Sequence, residues 1–260
     1  MLPFRQFDIA LIESWKGTKH IEGGCNMLGE TFWRKFIDFA FCFLFFINNP
    51  PKSLLDIGSG GSFFPSLVSN NFSSKCISLD VKRKGFTDSQ KIISKSGDFL
   101  NFPVISNAKH LPFKEQSFDY VTALSSMEHF SYSEVEGFLK GAFWVLKEQG
   151  AALIIDVPIR NKPSVVSTDY GLISEFSKEM LNGLFRSAGF KSFRLFRFDS
   201  NISTFFCKEL FLEYNQYQEV NKSEPLWVNH PLLLLFSDGF SEVLPKTIGG
   251  ENVFVILEKD

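Results

Sequence analysis

Residues 53–61 read Ser53-Leu54-Leu55-Asp56-Ile57-Gly58-Ser59-Gly60-Gly61. A short apolar run ends in closely spaced glycines, and an apolar helix candidate follows from Phe63 to Val68. This is the order strand, Gly-rich turn, helix. Glycines there let the backbone approach a ligand where a side chain would clash. Cys76 to Val81 forms the next strand candidate, carrying Asp80 at its end. A carboxylate in that place accepts hydrogen bonds from the hydroxyls of a ribose. Turn and acid together point to an adenosine-containing cofactor.

The choice among such cofactors narrows at two positions. A dinucleotide fingerprint needs a third glycine where Phe63 stands, and no Gly-Lys-Ser/Thr follows to make a phosphate-binding loop. Asp56 instead lies two residues before the first glycine, where a buried carboxylate suits an ammonium group better than a pyrophosphate. An NAD-dependent oxidoreductase is the alternative enzyme class. Phe63 counts against it, as does the long segment ahead of the first strand.

Outward from this stretch, strands and helices alternate. Phe102 to Ser106, Phe118 to Leu124 and Ala151 to Val157 are further strand candidates. Ser133-Glu134-Val135-Glu136 has the form of a capping box, after which Phe138, Leu139, Ala142, Phe143 and Leu146 share a helical face, with Gly150 as the stop. Met180, Leu181, Leu184, Phe185 and Ala188 repeat that spacing before Gly189, and Ser192–Phe198 and Val253–Glu258 complete the strands. The pattern predicts an α/β, Rossmann-like, doubly wound sheet of seven mostly parallel strands with helices on both faces. Its ligand belongs beyond the carboxyl ends of the strands.

The expected organisation is a single domain over 1–260. Residues 1–52 form a leader and a buried helix, 53–198 the cofactor-binding core, 199–250 a cap insertion before the last strand, and 251–260 that strand. Two helix-like stretches, Phe205–Tyr217 and Pro231–Leu244, lie in the insertion. The apolar run Phe36–Ile47 is interrupted by Asp38 and falls short of the roughly 20 residues that span a bilayer, so it reads as a buried helix.

Several stretches resemble class I S-adenosylmethionine-dependent methyltransferases of the type 11 kind. Asp56–Gly61 looks like their first motif, and Asp80 stands in the place of their ribose-binding acid. Asn107-Ala108-Lys109-His110-Leu111-Pro112-Phe113 is similar to their third motif. Ser126-Met127-Glu128-His129-Phe130 resembles the segment after the fourth strand, and Phe143–Lys147 with Gly150 the helix leading to the fifth. The resemblance covers about 53–158. It implies S-adenosyl-L-methionine as cofactor, leaving as S-adenosyl-L-homocysteine. Asp56, Gly58, Ser59, Gly60 and Gly61 would hold its methionine part, and Asp80 with Val81 its ribose side. Asn107 and Ala108 would meet adenine, and Leu124 and Ser125 would complete the contacts. Ser62 and Asn107 depart from the family pattern. An Asn amide oxygen still accepts from an adenine amino group.

His129 is the candidate general base, beside Glu128 where the fourth strand delivers residues to the site. Asp156, ending the fifth strand, is a candidate for orienting a substrate. The formal net charge of −2 supplies no global basic field and argues against a nucleic-acid partner. Four scattered cysteines suggest neither a zinc site nor a disulfide framework, and no metal is expected. No signal peptide or membrane span is expected, which suits a cytoplasmic protein. The reading is methyl transfer to an oxygen or nitrogen of a small molecule, a sugar or sugar nucleotide among the candidates. A non-catalytic S-adenosylmethionine-binding protein is a further alternative. The aromatic stretch around Trp227 and Leu232–Phe236 suits a substrate wall or the contact of a homodimer.

Overall fold

The computed structural model describes residues 38–39, 41–43, 45–46, 49–96, 99–169, 171–198, 240–243 and 252–259. Most of the leader and of the 199–250 insertion therefore lies outside the described residues, including the stretch Phe205–Tyr217 and the aromatic segment around Trp227.

A helical segment within 38–46 leads into β1 (Ser53–Ile57), α1 (Phe64–Phe72), β2 (Lys75–Asp80), α2 (Arg83–Ser96), β3 (Asn101–Ile105) and β4 (Phe118–Leu124). A 3-10 turn (Met127–His129) precedes α3 (Tyr132–Val145) and β5 (Leu146–Pro158). The chain continues through β6 (Ser164–Thr168), β7 (Gly171–Glu175), α4 (Lys178–Ala188), β8 (Ser192–Phe198), β9 (Phe240–Val243) and β10 (Asn252–Glu258). The main sheet runs β3-β2-β1-β4-β5-β10-β8-β9. Strands β3 to β5 are mutually parallel, and β10 pairs antiparallel with both β5 and β8.

All seven expected strands are there, and β9 adds an eighth at the edge, antiparallel to β8. Helix was expected through Leu244; residues 240–243 are instead a strand. They satisfy the backbone donors and acceptors that β8 would otherwise present as a bare edge. The β6–β7 hairpin has no counterpart in the sequence reading.

Neighbouring strand residues point to opposite faces, which builds two cores from one sheet. Leu55, Val121, Ala152 and Ile154 pack under α3 and α4 with Val135, Phe138, Leu139, Leu181 and Phe185. Leu54, Leu153 and Ile155 face the other way, onto α1 and the 38–46 segment. Much of the phenylalanine is spent there: Phe39 packs on Phe63 and Phe64 with ring centroids 5.2 and 5.1 Å apart, and Phe41 on Phe254 at 4.9 Å. Such pairs add a further stabilisation of about 0.5–1.5 kcal/mol beyond the area they bury. Among the described residues no helix is long and apolar enough to cross a membrane.

Two helix boundaries differ from expectation. The chain offers Ser-x-x-Glu twice, at 131–134 and 133–136, and the earlier box is the one used. Ser131 donates its N–H and its hydroxyl to Glu134 Oε2 at 2.8 and 2.7 Å. That choice puts Phe130 before the cap and Val135 four residues inside, and both pack into the same core as a hydrophobic staple. Glu136 pairs with Lys140 instead. Gly150 does not stop α3, which ends at Val145; it sits inside β5, where a Cβ would lie 2.8 Å from the Asp119 carbonyl oxygen.

Candidate functional site

The strand order reverses between β1 and β4, so the loops at their carboxyl ends part and leave a crevice. On one side lies the Gly-rich turn. Gly58 (φ +69°) and Gly60 (φ +53°) take the left-handed conformation that glycine adopts without strain. A Cβ on Gly58 would also come within 2.5 Å of Ser126 Cβ. Ser126 donates its hydroxyl to the Ile57 carbonyl at 2.9 Å, fastening the end of β4 to the turn. The Ser59 N–H bonds the Leu79 carbonyl at 3.0 Å, while its buried hydroxyl has no hydrogen-bond partner among the described residues.

Asp80 closes this side. Its Oδ2 accepts the Gly60 N–H at 2.9 Å and its Oδ1 the Lys82 N–H at 2.7 Å. Each carboxylate oxygen retains a further lone pair that can accept a hydroxyl. Val81 lies just past the strand and is 59% exposed, an apolar surface beside that carboxylate. The Asp80 carbonyl accepts the Ser106 N–H at 3.0 Å, which draws the end of β3 alongside. Asn107 follows there, but its side-chain oxygen accepts the Lys109 N–H at 2.8 Å and so caps its own turn. One lone pair of that oxygen is committed locally, leaving less for an adenine amino group than the sequence suggested. Ala108 is buried against the core.

The other side of the crevice is built by β4 and β5. Asp56, 1% exposed, accepts the Thr122 hydroxyl at 2.7 Å across the paired strands β1 and β4. Leu124 ends β4, and Ser125 holds φ +46° just beyond it, donating its hydroxyl to Asp38 Oδ2 at 3.3 Å. Asp38 is itself 2% exposed. Burial raises the Cys42 pKa well above that of an ordinary thiol, and the charges of Asp38 and Asp56 add to the shift. The thiol therefore stays protonated and the two carboxylates share its surroundings. Asp38 entered the sequence reading only as an interruption of an apolar run, since nothing local ties it to residue 125.

His129 ends the 3-10 turn after β4, 41% exposed, with Nε2 3.9 Å from Oε1 of the buried Glu128. Further along, Asp156 (φ +66°) accepts the Asn252 amide N–H at 2.7 Å, and Asn252 Oδ1 accepts Arg160 Nη1 at 3.4 Å. Arg160 Nε pairs with Glu175 at 2.9 Å, and Tyr132 donates its hydroxyl to the Ser164 and Glu175 carbonyls at 3.0 Å. This chain of bonds ties the end of β5 to the hairpin. Tyr132 titrates above an ordinary phenol, through burial first and the Glu175 charge second. A separate open cavity of about 470 Å³ lies between α4 and β8 and is lined by none of the predicted site residues.

The geometry fits S-adenosylmethionine. Glycine backbone leaves room for a ligand, a buried serine hydroxyl has no partner among the described residues, and a carboxylate at the next strand end keeps accepting capacity. Phe63 meanwhile buries its ring in the core at the cap of α1, where a dinucleotide site would place its third glycine.

Comparison with known proteins agrees with this. The family model described as a methyltransferase domain matches residues 55–154. A ubiquinone/menaquinone biosynthesis C-methyltransferase of Wigglesworthia glossinidia brevipalpis is 32% identical over 112 residues, which are 42% of this chain. The match spans 44% of that relative's length, less than half of it. An S-adenosylmethionine-dependent methyltransferase of Thermotoga maritima shares the fold with a TM-score of 0.54 at 16% identity, covering 92% of this chain and 96% of the other. The PH0226 protein of Pyrococcus horikoshii gives 0.56 at 12%, covering 88% and 91%. The [4+2]-cyclase SpnF gives 0.54 at 16%, covering 86% and 79%, so this fold is not confined to methyl transfer.

Proposed function

We propose, for a chain whose 55–154 segment is a class I S-adenosylmethionine-dependent methyltransferase domain, transfer of a methyl group to a small-molecule acceptor. The observation that carries the reading is the joint geometry of the Gly-rich turn and Asp80, in which one peptide N–H of the turn aims the carboxylate. Asp80 with Val81 takes the ribose side, Asp56 with the 58–61 backbone and Ser59 holds the methionine part, and Asn107 and Ala108 border adenine. Leu124 and Ser125 complete the cofactor contacts.

When bound, the cofactor supplies an electrophilic methyl group on a sulfonium. The work left to the chain is alignment of the acceptor with that methyl carbon and exclusion of water. His129 takes the proton of an acceptor hydroxyl, with Glu128 beside it to favour the resulting imidazolium. Asp156 and Asn252 orient the acceptor from the end of β5.

The first acceptor class is a hydroxyl- or amine-bearing metabolite, a sugar or sugar nucleotide among them, methylated on oxygen or nitrogen. A second reading is favoured by the Wigglesworthia relative: methylation at a ring carbon of a hydroquinone. The same base serves both, since a deprotonated phenol delivers negative charge to its ring carbons. The chain acts as a catalyst on its own or as a homodimer, in the cytoplasm, without nucleic acid.

Calorimetric titration with S-adenosylhomocysteine and with NAD tests the cofactor. Micromolar binding of the first alone supports the reading, and binding of NAD alone overturns it. Turnover on sugar nucleotides against short-chain hydroquinones then separates the two acceptor classes. Binding without turnover on either panel favours a non-catalytic binding protein.

A further inference from the structure

Helix α2 turns one face to the nucleoside side of the site. Asp88 and Ser89 lie one helical turn beyond Gly85, and each of the three meets a different part of it. Gly85 is buried, and a Cβ there would lie 2.7 Å from Asp80 Cγ and 3.0 Å from its Oδ2. A Cβ on Gly61 would lie 3.1 Å from Asp88 Cβ. Ser89, 3% exposed, donates its hydroxyl to the Gly60 carbonyl at 2.8 Å. The N–H of that same Gly60 donates to Asp80 Oδ2, and Asp80 Oδ1 accepts the Lys82 N–H at the mouth of α2. The contacts close a ring: Ser89 to Gly60, Gly60 to Asp80, Asp80 to Lys82, and back through the helix to Ser89.

We infer that Gly85 and Ser89 are positioning residues for the ribose of the cofactor. Gly85 leaves the space in which the Asp80 carboxylate is seated, and Ser89 holds the peptide whose N–H aims it. Neither touches the ligand. Intrinsic helix propensity favours alanine over glycine inside α2. The glycine is instead required by the carboxylate across from it, because a short Asp side chain has no flexible end that could yield. A carboxylate serving two hydroxyls must be held to a fraction of an ångström, which is the task of such supporting contacts. The inference rests on the reading of Asp80 as the ribose acceptor.

The test compares wild type, Gly85→Ala and Ser89→Ala by calorimetry with two ligands, S-adenosylhomocysteine and its 2′,3′-dideoxy analogue. Gly85→Ala is expected to weaken S-adenosylhomocysteine by at least about tenfold and Ser89→Ala by about three- to tenfold, the scale of a degraded charge-assisted hydrogen bond. Both variants should bind the dideoxy analogue within about twofold of wild type, because its ribose contacts are already gone. Equal weakening of both ligands, or unchanged affinity for the first, overturns the inference. A wild type that binds both ligands equally overturns the ribose reading of Asp80 itself. Should Gly85→Ala fail to fold, Ser89→Ala removes a single oxygen and carries the same test.

Discussion

The two edges of the sheet solve opposite problems with the same residue types. At the amino edge, Asp119 Oδ2 accepts the Lys52 N–H, the Ser53 N–H and the Ser53 hydroxyl, and Oδ1 accepts Lys147 Nζ at 2.8 Å. Lys259, nearly buried, donates to the Leu146 carbonyl and lies 4.8 Å from the centroid of the Phe143 ring. Donors there converge on Oδ2 until it is full. At the carboxyl edge Asp80 keeps capacity to accept, and the Ser59 hydroxyl is buried without a partner among the described residues. Left-handed non-glycine residues occur at both edges. Gln116 is an exposed turn residue and Gln149 an exposed residue near the start of β5, whereas Ser125, just past β4, and Asp156, near the end of β5, are half-buried. The amino edge spends its polar groups on internal bonds, and the carboxyl edge leaves accepting capacity at Asp80.

Substitutions at the two edges should therefore separate affinity and rate from stability. The largest effect belongs to His129→Asn, expected to lower kcat by about 10²–10⁴-fold on a hydroxyl acceptor while leaving S-adenosylhomocysteine affinity unchanged. Steady-state kinetics paired with calorimetry measures both. Asp80→Ala should weaken S-adenosylhomocysteine by about 10²-fold, the loss of two bonds to a charged acceptor, with melting shifted little. A large drop in melting temperature with that variant would mean that the carboxyl edge, too, is structural.

Asp119→Ala is the mirror experiment. It should cost about 2–3 kcal/mol of unfolding free energy in a denaturant titration and leave cofactor affinity unchanged. The same carboxylate predicts an acid response. Burial alone would raise its pKa, but hydrogen bonds from Lys147 and Ser53 and the Lys147 charge outweigh that and lower it below an ordinary aspartate. A depressed folded pKa contributes stability above the unfolded value, and that stability is lost as pH falls through the folded one. Acid unfolding of Asp119→Asn should lack that part of the pH dependence. The smallest effect is at neither edge: Ser131→Ala removes the cap that α3 uses and should cost about 1 kcal/mol, while Ser133→Ala should cost almost nothing.

Some of this was legible in the residues alone. Alternating strands and helices, the glycines of the turn and the acid at the end of β2 are set by short-range rules: periodicity, allowed dihedrals and capping spacing. Those rules also offered two capping boxes for α3, and only the packing of Phe130 and Val135 selects the earlier one. The 240–243 strand was missed because its partner is the open edge of β8, which no local pattern announces.

The site divides in the same way. The residues proposed to carry its chemistry, Asp56, Asp80 and the glycines, lie near one another in sequence or at strand ends and could be named beforehand. Their supports could not. Asp38 meets Ser125, Asp56 meets Thr122 and Gly85 packs against Asp80 only because strand order and helix placement bring them together. The sequence by itself determined which segments become strands, which turn is glycine-lined and where an acid ends a strand, because local sterics and hydrogen bonding act over a few residues. Only the tertiary structure decided how those groups are aimed, because aim is set by contacts between segments whose separation along the chain carries no local signal.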